Sequence, residues 1–353
     1  MKVLIIAPYP REVAPSQRFR FEQYLNIMTK NDIEYSFSPF LSLTAWHILY
    51  KPGHYFEKLL GILLGYIRRI KDLFRIHSYD YVFVHRESSP FGPNWFEYIA
   101  VKWLRKKLIF DFDDSIWIRN YSESNKVVSF LKRYNNTRDI CKLAYKVSVG
   151  NAYLAAFAKQ YNTNIVINPT TIDMERYNCN KVPNNKLVIG WTGSHSTVKY
   201  LQQMKPVLEK LSQHFDFELH IISNQKPDFI LPNIVFIKWS SATEIQDLCK
   251  FDIGIMPLED DDWSRGKCGL KALQYMALNI PSLISPVGVN RSIIEDQVNG
   301  LYCTHENEWF ENLKKIIEDD ELRKLLSSNA KEKVQNHFSV NSNTQNFLSL
   351  FNI

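Results

Sequence analysis

The chain has 353 residues, of which 45% are hydrophobic and 14% aromatic, so it can build the cores of two ordinary domains and is too apolar to be disordered. Its net charge is +6, from 43 basic and 37 acidic residues. This mild excess suits an anionic substrate or a lipid surface. Because the sequence has neither a basic tract nor zinc-finger spacing, we exclude a dedicated nucleic-acid binder.

Short apolar runs alternate with helix-length segments along the chain, which favours parallel sheets covered by helices on both faces. The first run is too short, and too closely followed by charges, for a signal peptide, so we predict a buried strand. No run reaches the roughly 20 residues that cross a bilayer. The predicted strands are Val3–Ala7, Tyr81–His85, Leu108–Phe112, Val147–Gly150, Ile165–Asn168, Leu187–Thr192, Leu219–Ser223, Val235–Lys238, Ile253–Pro257, Ser282–Ser285 and Leu301–Cys303.

The strand pattern restarts once, after a turn-rich break at 168–173. Leu187–Thr192 then repeats the order of strand, loop and helix with which the chain begins. We therefore predict a first Rossmann-like domain at 1–172, a second at 173–335, and a C-terminal helix at 336–353 that packs back on the body.

The cysteines are scattered, odd in number and never spaced as C-x-x-C. This pattern is typical of reduced thiols in a cytoplasmic protein. The five are Cys141, Cys179, Cys249, Cys268 and Cys303.

The segment from Phe251 to Gly288 concentrates positive charge at a strand-to-helix turn. The strand Ile253–Pro257 runs through an acidic loop, which can pair with Arg265 or remain solvated, into a turn that carries Arg265, Lys267 and Lys271. Ligands of open α/β sheets bind at such turns, and a helix N-terminus adds a positive field and free N–H groups. Three cations there predict an anion, and a nucleoside diphosphate is the natural candidate.

Lys267, Lys271 and Gln274 are spaced i, i+4 and i+7, which predicts one helix face directed at a pyrophosphate and a ribose. A solvated lysine stripe is the alternative. The apolar neighbours of these residues predict a largely buried helix, where lysine is seldom unpaired, and this favours the binding role.

Three segments resemble the retaining glycosyltransferase family 4. Asn168-Pro-Thr-Thr-Ile-Asp173 with Tyr177 is similar to its interdomain segment, Asp252-Ile-Gly-Ile-Met-Pro to its donor-site strand, and 277–301 to its Met-Ala-x-Gly-x-Pro-Val and Asn-Gly-Leu blocks. The resemblance implies the GT-B architecture, with two facing Rossmann-like domains and a deep interdomain cleft. It implies a nucleotide-sugar donor held mainly by the second domain, an acceptor held by the first, and neither metal nor other cofactor.

The chain departs from this family at its Glu-x7-Glu signature, whose carboxylates contact the donor. Alignment on Gly269 and Met276-Ala277 places Gly266 and Gln274 at those two positions. Gln274 can still hydrogen-bond a ribose diol, whereas Gly266 offers no side chain. The resemblance therefore implies a divergent member in which the sugar contacts differ.

Further donor-side residues follow from the loops. Gly193 and Ser194 can present backbone N–H groups to a phosphate, and Gly288 closes the second turn. Lys199 lies where the family places a diphosphate lysine, although an exposed lysine on an ordinary turn fits equally. Arg265 and Lys267 are the predicted catalytic cations, since charge develops on the leaving oxygen during transfer.

On the acceptor side, Ser16 and Arg18 stand where the family has a glycine-rich loop. Arg18 can bind a phosphate or an anionic acceptor, and the alternative is that Arg18 and Arg20 are exposed on the first helix. His85 ends a strand and can line the acceptor site, or be structural.

Asp111-Phe-Asp-Asp114 ends another predicted strand and looks like a metal-binding Asp-x-Asp. The resemblance implies a site without metal. We predict instead that Asp113 or Asp114 orients the acceptor hydroxyl or acts as its base. Helix N-capping by Asp114 is the alternative.

Residues 55–77 are apolar at one end and basic at the other. Such a helix can dock on an anionic membrane, or it can simply cover the sheet.

We predict a cytoplasmic glycosyltransferase that moves a sugar from a nucleoside-diphosphate donor to a glycan or lipid-linked acceptor, with retention, in cell-envelope or surface polysaccharide synthesis. Peripheral contact with the cytoplasmic face of the membrane is compatible with it. A GT-B nucleotide-sugar epimerase and a catalytically silent nucleotide-binding or scaffold subunit are the alternatives. A dehydrogenase is excluded, because 8–18 contains no glycine and so no G-x-G-x-x-G.

Overall fold

The computed structural model describes residues 1–49, 51–119, 133–178, 181, 183–194, 197–228, 231 and 233–352. Its contacts divide the chain into two compact units, Met1–Thr170 with Asn343–Ile353, and Thr171–Ser342. Residues 336–342, which we had placed with the returning tail, thus remain in the second unit. The reason is a parallel bridge between Ser339 and Ile172.

The first unit is built on six parallel strands in the order β2-β1-β3-β4-β5-β6. The strands are β1 (Lys2–Ala7), β2 (Glu34–Pro39), β3 (Tyr81–His85), β4 (Lys107–Phe112), β5 (Lys146–Val149) and β6 (Ile165–Ile167). Its described helices are Pro15–Arg18, Leu25–Lys30, Leu43–Leu49, Tyr55–Arg75, Trp95–Tyr98, Asn136–Leu143, Ala152–Ala158 and Thr344–Leu348.

The second unit has six parallel strands in the order β12-β11-β10-β7-β8-β9. They are β7 (Leu187–Gly193), β8 (Phe217–Ser223), β9 (Ile234–Lys238), β10 (Ile253–Met256), β11 (Ser282–Ile284) and β12 (Leu301–Tyr302). Its described helices are Val198–Gln202, Lys205–Ser212, Glu244–Leu248, Asp262–Arg265, Leu270–Ala277, Asn290–Ile293, Glu306–Glu318 and Asp320–Lys333.

All the predicted strands are present, and the prediction of two Rossmann-like sheets is confirmed. The sequence analysis missed β2, which pairs with β1 at the edge of its sheet. Glutamate, two serines and a proline interrupt its apolar pattern, because an edge strand is not buried on both faces.

The strand order of the second sheet places a topological switch point between β7 and β10. These neighbours pair at Ile189 with Ile253 and at Gly190 with Gly254, and the chain leaves them towards opposite edges. A Cβ at Gly190 would approach the Phe251 ring to 2.0 Å, so the glycine allows that ring to pack on the strand. The carboxyl ends of such a strand pair form the usual ligand crevice of a doubly wound sheet.

Among the described cysteines, one differs from the prediction, and Cys179 lies outside the described residues. Cys141, Cys268 and Cys303 are free, and burial raises the pKa of Cys141 to about 12. Cys249 is disulfide-bonded, so the expectation of fully reduced thiols is wrong there. Sequence spacing does not reveal which cysteines a fold brings together.

Candidate active site

The helix Leu270–Ala277 begins directly after Gly269, whose φ of +69° lies in the left-handed region. A Cβ at Gly269 would lie 2.2 Å from Cδ1 of Ile293, so this close turn requires glycine. Lys267 therefore precedes the helix. The prediction that Lys267, Lys271 and Gln274 share one helix face is wrong for Lys267, because the chain turns sharply before the helix starts.

Lys271 is half-buried beside the end of β7. Its Nζ lies 4.5 Å from the centroid of the Trp191 ring and 3.5 Å from Oγ1 of Thr197. Among the residues that the structure describes, no carboxylate pairs with this ammonium group. Burial, and next the charge of Lys267, lower the pKa of Lys271 to about 7.

Lys267 lies close enough to Lys271 for their charges to repel. Its Nζ is 5.5 Å from the centroid of the Trp263 ring. Two ammonium groups thus share one edge of the sheet, each above an aromatic ring. An aromatic face partly stabilises a cation but does not neutralise it, so Lys271 favours an anionic ligand.

Arg265 is held by its own acidic loop. Its Nε lies 2.7 Å from Oδ1 of Asp260, and its Nη1 lies 3.4 Å from Oδ1 of Asp262. Gly288, with φ +55°, passes against the Arg265 backbone, where a Cβ would lie 2.7 Å from the Arg265 carbonyl oxygen. The acidic loop therefore pairs with Arg265, which was one of the two alternatives for this loop. The catalytic role of Arg265 stays a prediction.

Gln274 is buried and donates from Nε2 to the Tyr177 hydroxyl at 2.7 Å. Tyr177 belongs to the segment that resembles the family's interdomain stretch, so a sequence-distant residue orients this amide. A hydrogen bond to ribose remains a prediction for the other atoms of the amide.

Gly193 and Ser194, at the end of β7, lie against Thr197. A Cβ at Gly193 would lie 2.5 Å from Oγ1 of Thr197, and the Ser194 carbonyl accepts hydrogen bonds from the Thr197 N–H and hydroxyl. Lys199 is exposed, with its Nζ 4.0 Å from Oε2 of Glu259. This position matches the alternative of an exposed lysine, and its diphosphate role stays untested.

In the first unit, Asp113 and Asp114 both face Arg86. The Arg86 Nε donates to Oδ1 of Asp113 at 2.8 Å, and its Nη2 donates to Oδ2 of Asp114 at 2.6 Å. Burial opposes the charge of Arg86, but the two carboxylates outweigh it and raise the pKa of Arg86. Residues 115–119 form a turn, so the helix-capping alternative for Asp114 is wrong.

A second cluster, around Asp111, is fully buried. Asp111 forms an ion pair with Arg20, accepts from the Ser148 hydroxyl at 2.6 Å, and lies 2.8 Å from Nδ1 of His85. Burial would raise the pKa of Asp111, but Arg20 and His85 outweigh it and hold that pKa well below its usual range. The expectation of an exposed Arg20 is wrong, because its guanidinium closes this network.

One ring nitrogen of His85 makes no hydrogen bond in the described structure. Its Nε2 is buried and has no hydrogen-bond partner among the described residues, while Nδ1 faces Asp111. Ser16 and Arg18 lie half-buried on the helix Pro15–Arg18, with the Arg18 guanidinium 5.1 Å from the centroid of the Phe19 ring. The acceptor roles of these three residues stay predictions.

The sequence analysis missed the aromatic and polar groups that position the cations. Trp191 and Thr197 line Lys271, Tyr177 holds Gln274, and Arg86 holds the two aspartates. Arg86 had a weak signal, since it directly follows the polar end of β3. Trp191 had none, because a buried aromatic residue on a strand is ordinarily part of the core.

Comparison with known proteins agrees with this geometry. Residues 186–319 match the sequence model of the family described as Glycosyl transferases group 1. No curated protein matches the chain.

Several solved structures share the fold over the full chain. Sucrose-phosphate synthase from Thermosynechococcus elongatus has a TM-score of 0.74 at 13% identity, covering 99% of this chain and 98% of that one. A glycosyltransferase from Rickettsia africae has a TM-score of 0.66 at 16% identity, covering 99% and 98%. HepE of Anabaena in complex with UDP has a TM-score of 0.63 at 14% identity, with both chains fully covered.

The paired parallel sheets and the likeness over the whole chain define a protein of GT-B architecture. Residues 186–319 carry the glycosyl transferase group 1 match, and they contain the switch point with its cations.

Proposed function

We propose that the protein transfers a sugar from a nucleoside-diphosphate donor to a glycan or lipid-linked acceptor, with retention, in envelope or surface polysaccharide synthesis. We also propose that it works in the cytoplasm without a metal cofactor, its cationic side chains taking the part that a metal ion plays elsewhere. The HepE structures with UDP and with UDP-glucose make UDP-sugars the first donors to test.

The observation that carries this proposal is the pair Lys267 and Lys271. Two neighbouring ammonium groups repel each other, and the pKa of about 7 at Lys271 shows that its charged form is disfavoured without a counter-ion. A diphosphate supplies that counter-charge. When the sugar leaves, negative charge grows on the bridging oxygen, and fixed cations stabilise the transition state more than the ground state.

The acceptor side of the proposal rests on the first unit. Arg86 fixes Asp113 and Asp114 at the end of β4, so either carboxylate can orient an acceptor hydroxyl without moving. The spare Nε2 of His85, at the end of neighbouring β3, can donate or accept a further hydrogen bond.

Isothermal calorimetry with UDP-, GDP- and other nucleotide sugars tests the donor site. We expect one donor class to bind with a dissociation constant in the micromolar range, and Lys271→Met and Lys267→Ala each to weaken it by about tenfold or more. Lys324→Ala is the matched control, because Lys324 is an exposed lysine of the same unit that pairs only with Glu321 in the described structure. Equal binding by wild type and both site variants would remove the diphosphate role.

Product analysis with the same donors, with and without acceptors, separates the alternatives left by the missing carboxylates. Gly266 and Gln274 replace the family's two glutamates, which keeps a silent nucleotide-binding subunit open. Donor binding with neither hydrolysis nor transfer across an acceptor panel would identify such a subunit. Conversion of the donor sugar without any acceptor would identify an epimerase.

A further inference from the structure

The helix Tyr55–Arg75 carries its apolar side chains on the face that points away from its own unit. Phe56 is 75% exposed, Leu63 51%, Ile67 48% and Phe74 78%. These positions recur at helical spacing and so form one continuous stripe. Its other exposed members are Leu59, Leu60, Leu64 and Ile70. The expectation of an ordinary sheet-covering helix is therefore wrong for this face.

The opposite face explains why the helix cannot turn its leucines inward. Arg69 and Asp72 are buried there, with Arg69 Nη1 2.9 Å from Oδ2 of Asp72. The Arg69 Nε donates to the Ser88 carbonyl at 2.7 Å, and Nη2 donates to the Ala7 carbonyl at 3.0 Å. Rotation of the helix would break these bonds to Ser88 and Ala7, and would leave their buried carbonyl groups without a donor.

A glycine fixes the same orientation. A Cβ at Gly65 would approach the Phe40 ring to 2.6 Å, so the helix lies directly on that ring. Close contact of this kind leaves no room for a leucine on the inner face. The apolar stripe, which is about 30 Å long over the 21 residues of the helix, is thus a fixed feature of the surface.

The charges beside the stripe are mainly positive. Lys71 is exposed within it, and Arg75, which also pairs with Asp72 at 2.7 Å, borders it at the last turn. The acidic neighbour in the first turn, Glu57, lies 3.6 Å from Nδ1 of His54. An apolar stripe with cations at its side matches the composition of helices that lie in the headgroup region of anionic membranes.

A second exposed group lies next to the end of this helix. Lys106 Nζ donates to the carbonyls of His77 and Tyr79, at 2.9 and 2.8 Å, and so fastens its segment to the residues that follow the helix. That segment carries Trp103, which is 71% exposed, between the exposed Lys102 and Arg105. Tryptophan and basic residues are the side chains favoured at a lipid interface.

We infer that the stripe of Tyr55–Arg75 inserts into the surface of an anionic lipid bilayer, with the helix parallel to the membrane plane. None of the described helices has the length and apolar content of a membrane span. The inference concerns a surface outside the donor site, and its test does not depend on sugar transfer.

Flotation of the full-length protein with vesicles of phosphatidylcholine, with and without phosphatidylglycerol, tests this inference. We expect wild type to float with the anionic vesicles, and the double variant Leu63→Glu/Ile67→Glu to lower the partition coefficient by about tenfold or more. Leu325→Glu is the matched control, because Leu325 is similarly exposed, at 57%, on a helix of the second unit. Lys71→Glu is expected to weaken binding about fivefold on anionic vesicles, and less at high salt.

Thermal melts by circular dichroism check the folding of the variants, which we expect to be unchanged because the substituted positions are exposed. Equal flotation of wild type and the double variant would overturn the inference, and so would a wild type that ignores both vesicle types. Light scattering measures the oligomeric state of wild type and the double variant. A dimer that Leu63→Glu/Ile67→Glu dissociates, together with no vesicle binding, would assign the stripe to a second copy of this chain.

Discussion

Three arginines of the first unit and one lysine of the second differ in how their positive charge is matched. In the first, Arg20, Arg69 and Arg86 each meet a carboxylate, at Asp111, Asp72 and the Asp113–Asp114 pair. In the second, Lys271 lies over an aromatic ring with a hydroxyl as its polar neighbour. A desolvated charge without a counter-ion costs free energy, so the comparison teaches that unmatched charge, rather than the amount of charge, marks the binding site.

The largest expected effect tests the matched side of this comparison. Asp111→Asn leaves Arg20 and His85 without their anionic partner in a fully buried position, so the free energy of unfolding of the first unit should fall by about 3–5 kcal/mol. Urea denaturation followed by circular dichroism measures it. Asp216→Asn, which breaks an exposed pair with Lys186, is the control and should cost about 0–1 kcal/mol. Equal costs would contradict the contrast.

A smaller effect is expected at the half-buried carboxylates of the same unit. Asp113→Asn keeps the shape of the side chain but removes the charge that faces an acceptor, so kcat should fall about 100-fold with donor affinity unchanged. Steady-state kinetics with a saturating donor, together with donor calorimetry, separates the two quantities. If Asp113 serves only to hold Arg86, stability will change and kcat will not.

The smallest expected effect concerns Lys271, the lysine without a carboxylate partner among the described residues. The pKa of Lys271 is about 7 in the folded protein and 10.5 ordinarily, so between these values the unfolded chain binds more protons and stability rises with pH. Lys271→Met removes this penalty and should raise the melting temperature by about 2 °C at pH 7, and by less as the pH approaches 10. Differential scanning calorimetry across this range is the measurement. A variant that melts lower at pH 7 would show that Lys271 is already neutralised.

Much of the fold was predictable because parallel strands buried on both faces read as apolar runs. β7 and β10 show this, and so do the polar residues that follow them. β2 was not predicted, because an edge strand does not require a continuous apolar run. The start of the helix at Leu270 was misplaced, since Gly269 turns the chain where the spacing of the lysines suggested a continuous helix.

The interaction partners of the site residues were harder to predict from the sequence. Arg20 is only two residues from Arg18, yet it closes a network with Asp111 and Ser148, far along the chain. The helix Tyr55–Arg75 showed both apolar and basic character, but its pattern could not tell which face turns inward. Arg69 and Asp72 settle that question through contacts with residues distant in sequence.

Local patterning alone established where strands and helices alternate, where the chain begins its second sheet, and which strand end gathers cations, because these depend on near neighbours. Which charges find a counter-ion, and which apolar face stays outside, emerged only on folding. Both depend on side chains brought together from distant segments, and the free energy of a buried charge is set by what surrounds it in space.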